Sequence, residues 1–237
     1  MKKYIQKTMN IVCSSVLLLS VSCGLPGEEE EEDKKDLEVI DNSTFNNADG
    51  SAEAGQPSNP GTGGGEVSPD LQPTMNNLVG QWVGGCVDDQ VVVFSFSEQQ
   101  FVQGTLIYEE GSDCESEMLS LSAIGGGLTL EGINEEGIVQ WQGDIYSFER
   151  SFYTQDLVDY FNEVQLHGYN DWAVEEAKQC IGRASEPGGF VIRQQTIFSS
   201  LQISEDGLLG FAKSAASREE RGKEINWYAN GGPFTKQ

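Results

Sequence analysis

Residues 91–108 read Val91-Val92-Val93-Phe94-Ser95-Phe96, then Ser97-Glu98-Gln99-Gln100, then Phe101-Val102-Gln103-Gly104-Thr105-Leu106-Ile107-Tyr108. β-Branched and aromatic residues crowd both flanks and a polar run separates them, the pattern of two antiparallel strands joined by a turn. The pattern recurs on either side. Gly80-Gln81-Trp82 opens an earlier strand, and residues 117–124 alternate Met118, Ser120 and Ser122 against Leu119, Leu121 and Ala123. Gly125 to Gly127 reads as a break, after which Leu128-Thr129-Leu130 starts another strand. Asn134-Glu135-Glu136-Gly137 is a turn into residues 138–141, which 143–148 extend. Residues 190–203 are long and apolar, Ser204-Glu205-Asp206-Gly207 reverses them, and 208–212 return. About eight short strands at regular spacing predict a mainly β fold, a barrel or sandwich, within residues 78–237.

One stretch departs from this period. Thr154 is a candidate N-cap, with Leu157, Val158, Phe161 and Val164 at helical spacing after it and Gly168 as the stop. Asn170 or Asp171 is placed to cap a second helix running from Trp172 to Ile181 and ending at Gly182. Pro187-Gly188-Gly189 then returns the chain to strand. The expectation is a helical insertion, residues 154–182, lying over one end or edge of the barrel.

The N-terminus carries an address. Lys2, Lys3 and Lys7 precede an apolar run over residues 11–21, about half of what a spanning helix needs, so residues 1–22 read as an export signal. Leu19-Ser20-Val21-Ser22-Cys23-Gly24 resembles a bacterial lipobox, in which small residues admit the peptidase and the Cys23 thiol takes the diacylglyceryl group. Ser20 stands where Leu is usual. The resemblance implies a mature chain starting at Cys23, held on a bilayer by acyl chains. Gly24, rather than an inner-membrane retention Asp, points to the outer membrane. Residues 23–77 show no apolar periodicity. An acidic run covers residues 28–33, and residues 50–65 are built mainly of Gly, Ser, Ala, Pro and Asn. Such a segment is a tether with a root-mean-square span of about 40 Å.

The formal net charge of −24, from 38 acidic and 14 basic residues, repels nucleic acid and argues against it as a partner. It also serves as a solubility device. Cys86, Cys114 and Cys180 remain in an oxidising compartment, and Cys86–Cys114, spanning one hairpin, is the pairing of choice. Cys180 is then a buried small residue, an alternative partner for one of the other two, or a reactive thiol. His167, the single histidine, reads as an exposed loop residue. With Cys180 folded back upon it, it would form a Cys–His dyad, the basis of a hydrolase alternative. The run Glu109-Glu110-Gly111-Ser112-Asp113-Cys114-Glu115-Ser116-Glu117 offers Glu109, Asp113 and Glu115 as calcium candidates without EF-hand spacing; a solvated loop is the plainer reading. No pattern calls for a cofactor: a Cys-x-x-Cys is missing, and Gly125 to Gly127 lack the Lys-Ser/Thr of a phosphate loop.

Gly80-Gln81-Trp82 looks like the Gly-x-Trp that opens lipocalin-like barrels. Together with Cys86, Tyr108, Asp113-Cys114 and the tail Trp227-Tyr228…Pro233-Phe234-Thr235-Lys236, it resembles small bacterial lipoproteins with a lipocalin-like domain. The resemblance implies an antiparallel barrel of about eight strands with Trp82 at its floor. It also implies a non-enzymatic envelope protein that binds a small apolar ligand or a protein partner. The alternative is a solid barrel serving a structural or adhesive role at the cell surface.

Overall fold

The computed structural model describes residues 68–186 and 189–237; the export signal, Cys23, the tether as far as residue 67 and Pro187-Gly188 lie outside them. Nine strands form one antiparallel sheet: β1 Gly80–Val87, β2 Gln90–Phe96, β3 Gln100–Ile107, β4 Ser120–Ile133, β5 Val139–Phe152, β6 Lys178–Gln179, β7 Gln195–Ile203, β8 Leu208–Phe211 and β9 Phe234–Lys236. Their order, β4-β3-β2-β1-β9-β8-β7-β5-β6 with a further β4–β5 pairing, closes eight strands into a barrel and leaves β6 as an appendage on β5. The mainly β, lipocalin-like barrel expected from the sequence is the architecture found.

Each predicted strand takes its place by burying alternate residues. Trp82, Phe94, Phe101, Trp141, Leu201 and Leu209 all point inward, while the neighbours between them are more exposed. Gly125 to Gly127 do not break the chain: β4 runs through them as one strand with a register shift between Gly125 and Gly126. They are needed as glycines rather than as a turn. A Cβ on Gly126 would lie 2.6 Å from the Phe101 ring and 2.7 Å from the Asp144 carbonyl oxygen. The 190–203 stretch becomes strand only from Gln195.

Two helices close the ends. α1, Gln72–Leu78, follows a 3-10 turn at Pro69–Leu71 and drives Leu71, Met75 and Leu78 into the core. The globular unit therefore begins before the boundary at residue 78 drawn from the sequence, whose apolar spacing here is too short to register as periodic. α2, Gln155–Glu163, starts after Thr154 as expected, although the Thr154 side chain makes no capping bond. It ends before Gly168, because Gln165 turns left-handed at φ 53°. Phe161 of α2 stacks on Phe152 at the end of β5, ring centroids 4.4 Å apart, so the helix does lie over that barrel end.

The second expected helix, 172–181, is not formed. β5 is longer than β7, whose pairing stops at Ile145, and its upper edge is free to recruit the chain. Glu175 N donates to the Phe152 carbonyl (2.8 Å), Cys180 N to that of Phe148 (2.6 Å), and Phe148 N donates to Gln179 Oε1 (2.8 Å). Those backbone groups would otherwise be buried and unpaired, a cost that overrides modest helical propensity.

Candidate functional site

The barrel interior is divided into a filled apolar part and a polar end. In the apolar part, Phe94 contacts Phe211 at 4.4 Å and Phe234 at 5.1 Å between centroids, and Phe101 meets Trp141 edge-on at 5.4 Å. The gap left among Phe94, Phe101, Gln103, Trp141 and Phe211 amounts to ≈ 10 Å³ of space for the centre of a water. That is room for about one water molecule and none for a small apolar ligand. Trp82 sits in this core, 1 % exposed, its indole N–H donating to the Leu78 carbonyl at 2.8 Å. Lys236 Nζ lies 5.5 Å from the ring and donates to the Asn77 carbonyl, tying β9 to the end of α1. Gly80 precedes it at φ 129°, a conformation few other residues accept.

The polar end lies under α2 and the segment after it. Thr105, Ser122 and Arg150 stand in direct register across β3, β4 and β5, with Ser120 opposite Phe152 one step beyond. All five are buried. The Nε of Arg150 and the hydroxyls of Ser120 and Ser122 have no hydrogen-bond partner. Arg150 is 4 % exposed, sits 5.6 Å from the Phe152 ring centroid and forms no ion pair among the described residues. Burial lowers its pKa to about 10, which leaves it charged at neutral pH.

His167 is not the exposed loop residue expected. It is 2 % exposed, edge-on to Phe148 at 5.7 Å and Phe190 at 6.3 Å, because the left-handed turn at Gln165–His167 folds the ring inward. Nδ1 lies 3.3 Å from the Arg183 carbonyl oxygen, so the tautomer inferred from that bond carries its proton on Nδ1 and leaves Nε2 unpartnered. Burial first, and the Arg150 charge second, push its pKa down to about 4. Cys180 lies on the strand-like segment after β6 rather than on a helix, fully buried and unpaired. Burial pushes its thiol up to about 11, and Sγ contacts the Lys178 carbonyl at 3.3 Å. At neutral pH the pair is a protonated thiol and a neutral imidazole, neither of them poised for nucleophilic attack.

Cys86 and Cys114 are joined in a disulfide, Cα atoms 6.0 Å apart. In the neighbouring acidic loop, Asp89 accepts hydrogen bonds from Gly111 N (2.7 Å) and Asp113 N (3.0 Å). The calcium candidates Glu109, Asp113 and Glu115 do not converge: among the described residues no group of three or more His, Cys, Asp or Glu side chains is placed to share a cation.

An ion cluster unsuspected from the sequence lies on the barrel wall. Glu131 pairs with Arg218 at 2.7 Å and with the buried Arg221, whose guanidinium also rests 5.7 Å from the Phe198 ring. Burial would raise the Glu131 carboxyl, but the two arginines outweigh it and hold it below the usual carboxylate range. No protein-family model matches the chain, and no curated protein proves to be a relative.

Proposed function

We propose that the protein is a lipid-anchored, non-enzymatic lipoprotein of the bacterial outer membrane, whose barrel is a rigid scaffold presented to a protein partner of the envelope. The observation that carries this reading is the filled barrel centre, with a gap of about one water where a ligand carrier needs a chamber. An apolar ligand would have to displace Phe94, Phe101 or Phe211, each of which is tightly contacted. The anchor is read from the lipobox at Cys23, and the acidic tether supplies the reach.

Expression of the full chain in a diderm bacterium tests the reading. The wild type should fractionate with the outer membrane, with a diacylglyceryl group on Cys23 by mass spectrometry, whereas Cys23→Ser should leave the membrane fraction. The purified protein should take up no Nile red, an uncharged apolar dye. An unacylated mature N-terminus refutes the anchor; saturable dye uptake refutes the solid scaffold. Digestion of intact cells with added protease reads out which face of the membrane carries the barrel.

A further inference from the structure

We propose that the polar end of the barrel interior binds a small carboxylate monoanion, its oxygens held by the Arg150 guanidinium and the Ser120 and Ser122 hydroxyls. This goes beyond the scaffold reading and does not depend on the anchor.

The argument starts from a missing partner. A buried charge is stable only when paired, and the chain follows that rule at its other buried arginine, Arg221, which Glu131 meets. Arg150 is buried as deeply, yet among the described residues no carboxylate pairs with it. The titratable groups its charge does reach are Cys180 and His167, and both are neutral at pH 7. Lys178, in register with Arg150 on β6, is engaged with Asp171 and Glu176 and offers no negative charge. Among the described residues only the face of the Phe152 ring, 5.6 Å from the guanidinium carbon, offsets this charge, and no anion meets it.

The surroundings describe what would neutralise it. Ser122 is the direct cross-strand neighbour of Arg150 and Ser120 a diagonal one, within reach of a single small ligand. Both hydroxyls lack partners, as does Arg150 Nε. A fork of guanidinium N–H donors beside hydroxyl donors matches the two oxygens of a carboxylate. The single charge selects a monoanion, since a dianion such as sulfate would bring a second charge with nothing to meet it. The ligand must also be short, because Phe101, Trp141 and Phe211 fill the barrel centre beyond.

The test uses the full-length chain in non-ionic detergent, in Tris with chloride as the only anion. Sodium formate or acetate then replaces chloride at constant ionic strength. Formate near one hundred times its Kd should raise Tm saturably by about 5 °C or more. Arg150→Met should abolish that rise, and Ser122→Ala should weaken formate binding at least fivefold by titration calorimetry. A wild type that responds to formate no more than Arg150→Met does overturns the proposal. If Arg150→Met does not fold, Ser122→Ala decides: an unchanged Kd for formate overturns it. Sulfate should act no better than chloride, and octanoate should bind no more tightly than formate. A sulfate response equal to that of formate overturns the assigned charge, and tighter octanoate binding overturns the assigned size.

Discussion

His167 is held where only its neutral form is tolerated, and the sign of the consequence is fixed. Its pKa is about 4 in the folded protein and near 6.5 in the unfolded chain, so below pH 6.5 the unfolded state binds the proton first. Its contribution to stability is intact above pH 6.5, is lost progressively down to pH 4, and amounts to at most about 3 kcal/mol. His167→Gln should show a shallower loss of stability than the wild type across that window, read from urea midpoints at each pH; parallel profiles would refute the assignment. Glu131→Gln should destabilise by about 2–4 kcal/mol, because it leaves Arg221 buried without its carboxylate. Trp82 and the disulfide cysteines were legible in the sequence, since a Gly-x-Trp and two cysteines flanking a hairpin carry local signals. Arg150 was not. Strict alternation from Trp141 puts Glu149 and Ser151 inside and Arg150 outside. The extra residue at Tyr146, where Ile145 and Ser147 pair with consecutive residues of β4, switches the faces and turns Phe148, Arg150 and Phe152 inward.

The elements were legible where the apolar period is long and local. The β2–β3 hairpin runs in unbroken register from Gln90–Ile107 to Phe96–Phe101, close to the limits its composition predicts. Elements that depend on a distant partner were not. β9 is three residues long and acquires its strand character only from β1 and β8. Residues 172–181 abandon helix for the open edge of β5. α1 is short, and its apolar residues gain meaning only from the barrel end they close. Met75→Ala should therefore cost about 2–5 kcal/mol in chemical denaturation despite lying in what reads as tether. A loss below about 0.5 kcal/mol would show the helix to be dispensable. The disulfide ties the far end of β1 to the loop after β3 across a separation of 28 residues, so the Cys86→Ser/Cys114→Ser double variant should lose about 3 kcal/mol.

At the scale of the whole molecule, charge and topology divide the labour. Among the described residues the acidic side chains lie on exposed or partly exposed surface, while Arg150 is buried without a carboxylate partner. The ring itself is closed by its ends: Thr235 of β9 pairs with Val83 of β1, and a hydrogen bond joins those two residues across 152 positions of sequence. Until β9 emerges, β1 and β8 each carry a bare row of backbone donors and acceptors, the template on which chains join edge to edge. The seam can seal only after nearly the whole barrel has been made, so closure waits on the longest-range pairing in the fold and should be slow. A variant lacking β9 should leave the edges of β1 and β8 bare and drive the purified chain into aggregates, visible by sedimentation; a variant that sediments like the wild type would show the seam to be dispensable.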